Sequence, residues 1–143
     1  MSAAPREAAG ASPDFVPPWR LRHHHVQSIY PSLPLRRPGV ERRASVLRHA
    51  SHETIVDCGD GVRLLALVAT QADAGRPPSD RLAVLLHGWE GSANSLYLLS
   101  LGQQLFDAGY DVARLNLRDH GESHQLNAGI FHSCRIAEVV GAV

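Results

Sequence analysis

The sequence feature that most constrains the fold is the junction RLAVLLHGWEGSANSLYLL at residues 81–99. Residues 82–86 form a continuous apolar run, which is typical of a strand buried on both faces. Gly88 then allows the backbone to turn sharply. The pattern predicts a buried strand that ends in a tight turn and is followed by a helix.

The residues after this turn have the spacing of an amphipathic helix. Leucines recur at intervals of three and four residues, at Leu98, Leu101 and Leu105. Such spacing places side chains on one face of a helix. Ser92 or Asn94 can cap the start of this helix with a side-chain oxygen. Gly109 can end it.

The flanking segments complete an α/β pattern. Residues 41–70 contain two or three strand-like stretches, and the turn Gly59-Asp60-Gly61 joins the last two as a hairpin. Residues 110–117 are the next strand, residues 118–129 are a polar loop, and residues 133–143 begin another amphipathic helix. A strand, a helix and a strand at this spacing form a right-handed unit with parallel strands. The predicted fold class is α/β, with an antiparallel hairpin followed by a βαβ unit.

Composition and charge bear on the possible partners. The formal net charge is zero, so nothing draws the chain as a whole to nucleic acid or to an anionic membrane. Residues 1–51 carry five positive charges in excess, all from arginine. We expect this arm to be solvated on an acidic body, with contact to phosphates or lipid as the alternative. No run of about 18 apolar residues exists, so no transmembrane helix is expected.

The cysteines and the N-terminus bear on location. Cys58 and Cys134 are far apart and fit no CxxC pattern, so we expect free thiols in a reducing compartment. Residues 1–15 lack the apolar segment of a secretory signal. The sequence therefore predicts a cytoplasmic protein. Residues 1–16 are rich in Ala, Pro and Ser, and we expect them to be disordered.

Three kinds of site occur at such strand-to-helix turns. A P-loop needs a lysine, and this chain has none. A dinucleotide site needs GxGxxG after the first strand, whereas only Gly88 and Gly91 are present after a later one. The third kind is an oxyanion hole, in which the backbone N–H of Trp89 would stabilise a negative carbonyl oxygen while the indole lines an acyl pocket. The alternative is a simple tight turn beside a core aromatic residue.

The order of the motifs resembles the N-terminal half of an α/β-hydrolase. An apolar strand precedes HGWEGS, and the next strand precedes NLRDHGES. The similarity is greater to bacterial esterase-like hydrolases related to the abhydrolase-domain proteins, which also carry stretches like LRHHHVQSIYP and like Phe131-His132-Ser133. The resemblance covers residues 17–143. It implies a serine hydrolase that acts on carboxylic esters without a cofactor or a metal.

The resemblance also implies roles for individual residues. Trp89 matches the position that supplies a backbone N–H to the oxyanion hole, and His87 and Gly88 match its lead-in. The loop after the fourth strand shapes the site in this family without contributing to the catalytic triad. Here that loop comprises Arg118, Asp119, His120, Gly121 and Ser123.

The chain departs from the family where the nucleophile is concerned. The family's serine lies in G-x-S-x-G on a strand-to-helix elbow, and no serine of this chain lies in such a pentapeptide. Ser123 comes nearest, but Gln125 stands where the second glycine would be. In the family, the elbow follows the helix that residues 133–143 begin, and the acid and histidine come later still. We therefore expect this chain to lack the triad and to be inactive alone, the acyl ester being the substrate of a full-length parent.

The resemblance has a consequence for association. The family's strand order is 1-2-4-3-5-6-7-8, so strand 81–87 would pair with strand 111–117 on one side and lack its other neighbour. An open apolar edge invites pairing with another chain, so the isolated chain is expected to self-associate. The alternative function is therefore a non-catalytic half-fold that associates through this edge strand.

The histidines suggest metal binding as a further alternative. Three are adjacent at His23-His24-His25, and His120 and His124 share a loop with acidic residues. Successive side chains point in different directions, so adjacent imidazoles rarely converge on one ion. Packing or hydrogen bonding is the preferred interpretation for the first group, and a solvated rim loop is preferred for the second.

Overall fold

A computed structural model describes residues 16–30 and 33–143, and the chain divides after Tyr30 into two units. The described part of the first unit contains a 3₁₀ turn, Trp19–Leu21, and helix α1, His24–Ile29. The Nδ1 atom of His23 caps α1 by accepting a hydrogen bond from the N–H of His25, at 3.3 Å. The segment predicted to be disordered, 1–16, lies outside the described residues apart from Val16.

The described part of the second unit alternates helices and strands. In chain order they are α2 Arg37–Arg43, α3 Ser45–Ala50, β1 Ser51–Asp57, β2 Arg63–Ala69, β3 Leu82–Leu86, α4 Leu96–Asp107, β4 Asp111–Leu115 and α5 Ile136–Ala142. The predicted α/β class is confirmed.

The strands form one mixed sheet in the order β1-β2-β4-β3. β1 and β2 are an antiparallel hairpin, and β2 also pairs antiparallel with β4. β3 and β4 are parallel, with Val84 opposite Ala113. The predicted turn joins the hairpin, since Gly59 and Gly61 adopt positive φ angles of 85° and 74°. The hairpin and the βαβ unit are therefore where the sequence pattern placed them.

The segment 41–50, which would hold the first strand if residues 41–70 formed three strands, is helical, so residues 41–70 contain two strands. Val40, Ala44 and Leu47 recur at intervals of four and three residues, and all three are buried. Val40 and Ala44 pack against Leu99 of α4. This helical spacing outweighs the strand-like composition of the segment, and the first strand begins only at Ser51.

β3 is an edge strand, and the prediction that it is buried on both faces is wrong because two of its leucines are exposed. It pairs with β4 alone among the described strands. Leu85 is buried, whereas Leu82 is 59% exposed and Leu86 is 44% exposed. The run is apolar throughout, but only Leu85 is buried in the core, while Leu82 and Leu86 are exposed to solvent.

α4 covers one face of the sheet with Leu98 and Leu105, as predicted, but not with Leu101. Leu98 and Phe106 are buried in the core, whereas Leu101 is 46% exposed. Gly102 faces the core instead, and a Cβ atom there would lie 3.0 Å from a methyl carbon of Leu47. The glycine therefore allows α3 and α4 to approach closely.

The start of α4 also differs from the prediction. Its N-cap is Ser95, which makes no side-chain cap hydrogen bond, so Ser92 and Asn94 are not the caps. The Ser92 hydroxyl accepts a hydrogen bond from the N–H of Asn94 inside the preceding turn. The end of the helix agrees with the prediction, because Gly109 follows the C-cap with a φ of 86°.

In the described residues, no helix is both long enough and apolar enough to cross a membrane.

Two substitutions in α4 test this packing. Phe106→Ala removes a fully buried ring and should lower the free energy of unfolding by about 3–5 kcal/mol. Leu101→Ala, on the exposed side of the same helix, should lower it by less than about 1 kcal/mol. Urea unfolding followed by circular dichroism measures both changes. Equal losses in the two variants would contradict the orientation of α4.

Candidate functional site

The site lies where β3 and β4 end at the same edge of the sheet. Because these strands are parallel, their carboxyl ends bring the turn at residues 87–95 beside the loop at residues 116–124. The ring centroids of His87 and His120 are 4.7 Å apart, so the two loops are in contact. The two predicted motifs therefore form one surface.

His87 links the two strand ends with both of its ring nitrogens. Nε2 accepts a hydrogen bond from the backbone N–H of Leu117, at 3.1 Å. Nδ1 therefore carries the proton and donates to the carbonyl oxygen of Gly88, at 2.8 Å. Burial lowers the pKa of His87, the Gly88 carbonyl partly opposes this, and His120 adds to the lowering. His87 is thus a neutral structural bridge.

The turn after β3 is held at several points. The N–H of Gly88 donates to the hydroxyl oxygen of Tyr97 in α4, at 2.6 Å. The N–H of Gly91 donates to the carbonyl oxygen of Gly88, at 3.0 Å. A Cβ atom at Gly91 would lie 3.0 Å from both that oxygen and the Cβ of His87. Glu90 adopts a φ of 53°, a strained angle for a residue with a side chain.

Trp89 lies at the tip of this turn with its backbone amide unused. Among the residues that the structure describes, the N–H of Trp89 donates to no acceptor. The side chain is 76% exposed. The amides of Gly88 and Gly91 are both bonded, so among the described residues the N–H groups of Trp89 and Glu90 remain available to a ligand at the tip.

Aromatic rings connect the turn to the loop after β4. The ring of His120 meets Phe131 edge to face, with centroids 5.0 Å apart. Phe131 in turn meets the indole of Trp89 edge to face, at 6.1 Å. The third predicted motif, Phe131-His132-Ser133, therefore lies beside the first two through its phenylalanine.

Arg118 anchors the second loop to α5. Its guanidinium is buried and donates to both carboxylate oxygens of Glu138, the shortest contact being 2.8 Å, and to the carbonyl oxygen of Ala128. Burial would raise the pKa of Glu138, but the hydrogen bonds from Arg118 and Arg135 hold it below its ordinary value. Arg118 therefore shapes the site by fixing the loop from behind.

The remaining predicted loop residues bond within the loop. Asp119 adopts a φ of 60°, and its carboxylate lies 2.6 Å from Nδ1 of His124. Nδ1 of His120 lies 2.8 Å from the carbonyl oxygen of Arg118. The hydroxyl of Ser123 is buried and donates to the carbonyl oxygen of His120, at 2.6 Å. Ser123 is thus bonded as a loop staple and is not presented as a nucleophile.

Two polar side chains of β4 and its end were not predicted as site residues. Asn116 accepts a hydrogen bond from the N–H of Ala93, at 2.8 Å, and Arg114 donates to the carbonyl oxygen of Ala93, at 3.0 Å. Gly121 packs against Asn116, since a Cβ there would lie 2.8 Å from its amide oxygen. The signal in the sequence is the pair of polar residues at alternate positions of the apolar segment 110–117, which share one face of the strand.

Both histidine groups that suggested metal binding lie among the described residues. No group of three His, Cys, Asp or Glu in the described residues could hold a metal ion. The rings of His23, His24 and His25 lie together at the start of α1, with centroids 4.1–5.2 Å apart. The three rings pack against one another, and His23 also caps α1.

Comparisons with protein-family models, with curated proteins and with solved structures find no match to this chain. A function for the chain must therefore be argued from the contacts of the site itself.

Acid should weaken the bridge that His87 makes. The pKa of His87 lies below its ordinary value of 6.5 in the folded state, so the unfolded chain binds more protons. The contribution of His87 to stability is complete above pH 6.5 and is lost as the pH falls below it, by at most about 1.4 kcal/mol per pH unit. Urea unfolding between pH 8 and pH 5 measures this loss. The His87→Asn variant should have a shallower pH dependence, and equal slopes would contradict a neutral His87.

Proposed function

We propose that this chain supplies the oxyanion-stabilising half of a serine hydrolase that acts on carboxylic esters. The observation that carries the proposal is the unused N–H of Trp89, which stands on a turn fixed at both ends. When a nucleophile attacks an acyl ester, negative charge develops on the carbonyl oxygen. A backbone N–H that is already oriented stabilises that charge without further reorganisation.

The surroundings of Trp89 favour an anion there. The hydrogen bond from the N–H of Gly88 to the Tyr97 hydroxyl holds the turn beside the first residues of α4. A helix N-terminus carries partial positive charge. The indole and Phe131 provide an apolar surface next to the amide. An ester with an apolar acyl group suits this combination, and no cofactor is required.

The nucleophile, the acid and the catalytic histidine belong to residues outside this sequence in our proposal. The chain contains no G-x-S-x-G. The hydroxyl of Ser123 donates a hydrogen bond to the carbonyl oxygen of His120. The strand order β1-β2-β4-β3 supports the resemblance, because it is the order expected for the first four strands of an α/β-hydrolase. A cytoplasmic location is part of the proposal and rests on the unpaired Cys58 and Cys134.

Binding of an anionic analogue tests the role of Trp89. An alkyl phosphonate monoester carries a negative oxygen like that of the tetrahedral intermediate. Titrated at millimolar concentration into the full chain, it should move the backbone amide resonance of Trp89, followed by ¹H–¹⁵N NMR. Replacement by proline removes the N–H. Trp89→Pro should therefore lose at least about tenfold in phosphonate affinity, the value of a charged hydrogen bond.

Trp89→Phe is the matched control, because it keeps the N–H while changing the ring. It should retain the response of Gly88 and Glu90 to the phosphonate. A fluorophosphonate probe should label no serine of the chain. An equal response in Trp89→Pro and Trp89→Phe would contradict the proposed oxyanion contact.

The open edge of β3 favours a second candidate function, a non-catalytic half-fold that associates through this strand. The strand sequence LAVLL carries no charge and no proline, the two features that commonly protect an edge. The opposite edge strand, β1, contains His52, Glu53 and Asp57. The two edges of the sheet therefore differ in their protection against pairing.

A charge placed on each edge distinguishes the two edges. Leu82→Lys should shift the full chain from oligomer towards monomer in sedimentation velocity at 10–100 µM, on the order of the concentrations at which exposed edges associate. Ile55→Lys, at a residue of β1 that is 50% exposed, should leave the distribution unchanged. A monomeric wild-type chain across this range would eliminate this candidate.

A further inference from the structure

Arg114 is a cation buried within the sheet. The residue lies in the middle of the sheet, in β4, and is 1% exposed. Among the described residues its guanidinium has no carboxylate partner, and its Nε–H has no acceptor. Burial, and to a smaller extent Arg48, lowers its pKa to about 10. An apolar residue of similar size is commonly as stabilising as a buried ion, so stability alone does not account for Arg114.

The hydrogen bonds of Arg114 show what it holds. Nη1 donates to the carbonyl oxygen of Ala93, at 3.0 Å, and Nη2 donates to the hydroxyl oxygen of Ser51, at 2.9 Å. The hydroxyl of Ser51 in turn donates a hydrogen bond to the carbonyl oxygen of Leu47, at 2.7 Å. Arg114 therefore connects the junction of α3 and β1 with the turn that follows β3.

Asn116 completes the hold on Ala93. Its Oδ1 accepts a hydrogen bond from the N–H of Ala93, and Arg114 bonds the carbonyl oxygen, so both backbone polar groups of the buried Ala93 are satisfied. Arg114 and Asn116 are two residues apart and therefore lie on the same face of the strand and its extension. The same Asn116 packs against Gly121 in the loop after β4. Arg114 and Asn116 thus fix the turn at Ala93, and Asn116 also packs against the loop after β4.

The position of Ala93 matters for Trp89, four residues earlier. The other end of the turn is held by Tyr97 on the N–H of Gly88 and by the bridge of His87. With both ends fixed, the strained Glu90 and the unused N–H of Trp89 have little freedom to relax. An amide that must face a developing charge needs this restraint, because motion of the donor would reduce its effect.

We propose that Arg114 and Asn116 are positioning residues that hold the turn at Ala93, and through it orient the N–H of Trp89. The inference rests on the proposed function, which gives that N–H its role. Neither side chain touches the substrate in this proposal. Their replacement changes the order of the turn while the sheet remains intact.

Hydrogen exchange of the full chain, followed by NMR, tests the proposal without any ligand. Asn116→Ala should increase the exchange rate of the Ala93 amide at least about tenfold, the expected effect of losing a buried hydrogen bond. Arg114→Met should broaden or move the Trp89 amide resonance. In both variants the amides of the β2–β4 ladder should exchange as in the wild type.

Conservative variants keep the test decisive if the first two fold poorly. Asn116→Asp retains an acceptor oxygen for Ala93, and Arg114→Lys retains one donor for its carbonyl, so each should restore the wild-type Ala93 and Trp89 signals. A uniform increase in exchange across the sheet, or an unchanged Trp89 amide in Arg114→Met, would overturn the proposal. Because no phosphonate is present, this result is independent of the titration that tests the proposed function.

Discussion

The arrangement of the site depends on a neutral imidazole at the end of β3. His87 accepts the N–H of Leu117 with one nitrogen and donates to the carbonyl of Gly88 with the other, so it joins two chain segments thirty residues apart. The bond pattern needs one protonated and one unprotonated nitrogen, and burial favours that neutral form by lowering the pKa. A charged imidazole would offer two donors and lose one bond. The contact between the two loops is thus built on a single tautomer.

Backbone strain occurs in both loops that His87 joins. Glu90 and Asp119 have positive φ angles of 53° and 60°, and each lies a few residues beyond the end of a parallel strand. Such conformations cost about 1 kcal/mol or more for a residue with a side chain, and they persist only where neighbours determine them. Here the neighbours are the bonded amides of Gly88 and Ala93 on one side, and the salt link from Arg118 to Glu138 on the other. The strain and its supports lie together at the carboxyl edge of the sheet.

The sequence pattern predicts the elements of this fold better than it predicts the contacts of the site. The Gly59-Asp60-Gly61 turn located the hairpin, the continuous apolar run located β3, and the spacing of leucines located α4. The helices of residues 41–50 were missed, although Val40, Ala44 and Leu47 have helical spacing, because their burial against α4 shows only in the fold. The sequence pattern also assigned no role to Arg114, because a polar residue in a strand reveals its partner only when distant segments meet. The open edge of β3 was expected from the resemblance, whereas the apolar run itself suggested burial.

Polar groups, more than apolar burial, determine the shape of the turn around Trp89. Four side chains form hydrogen bonds with backbone groups of the turn or of the neighbouring strand end: His87, Tyr97, Arg114 and Asn116. The last three follow the turn in the sequence. Buried polar groups contribute little net stability but specify one geometry, since each unsatisfied alternative is costly. A turn held in this way is already oriented before any ligand arrives. The orientation of the Trp89 amide is therefore set by contacts within the described residues, as the proposed oxyanion contact requires.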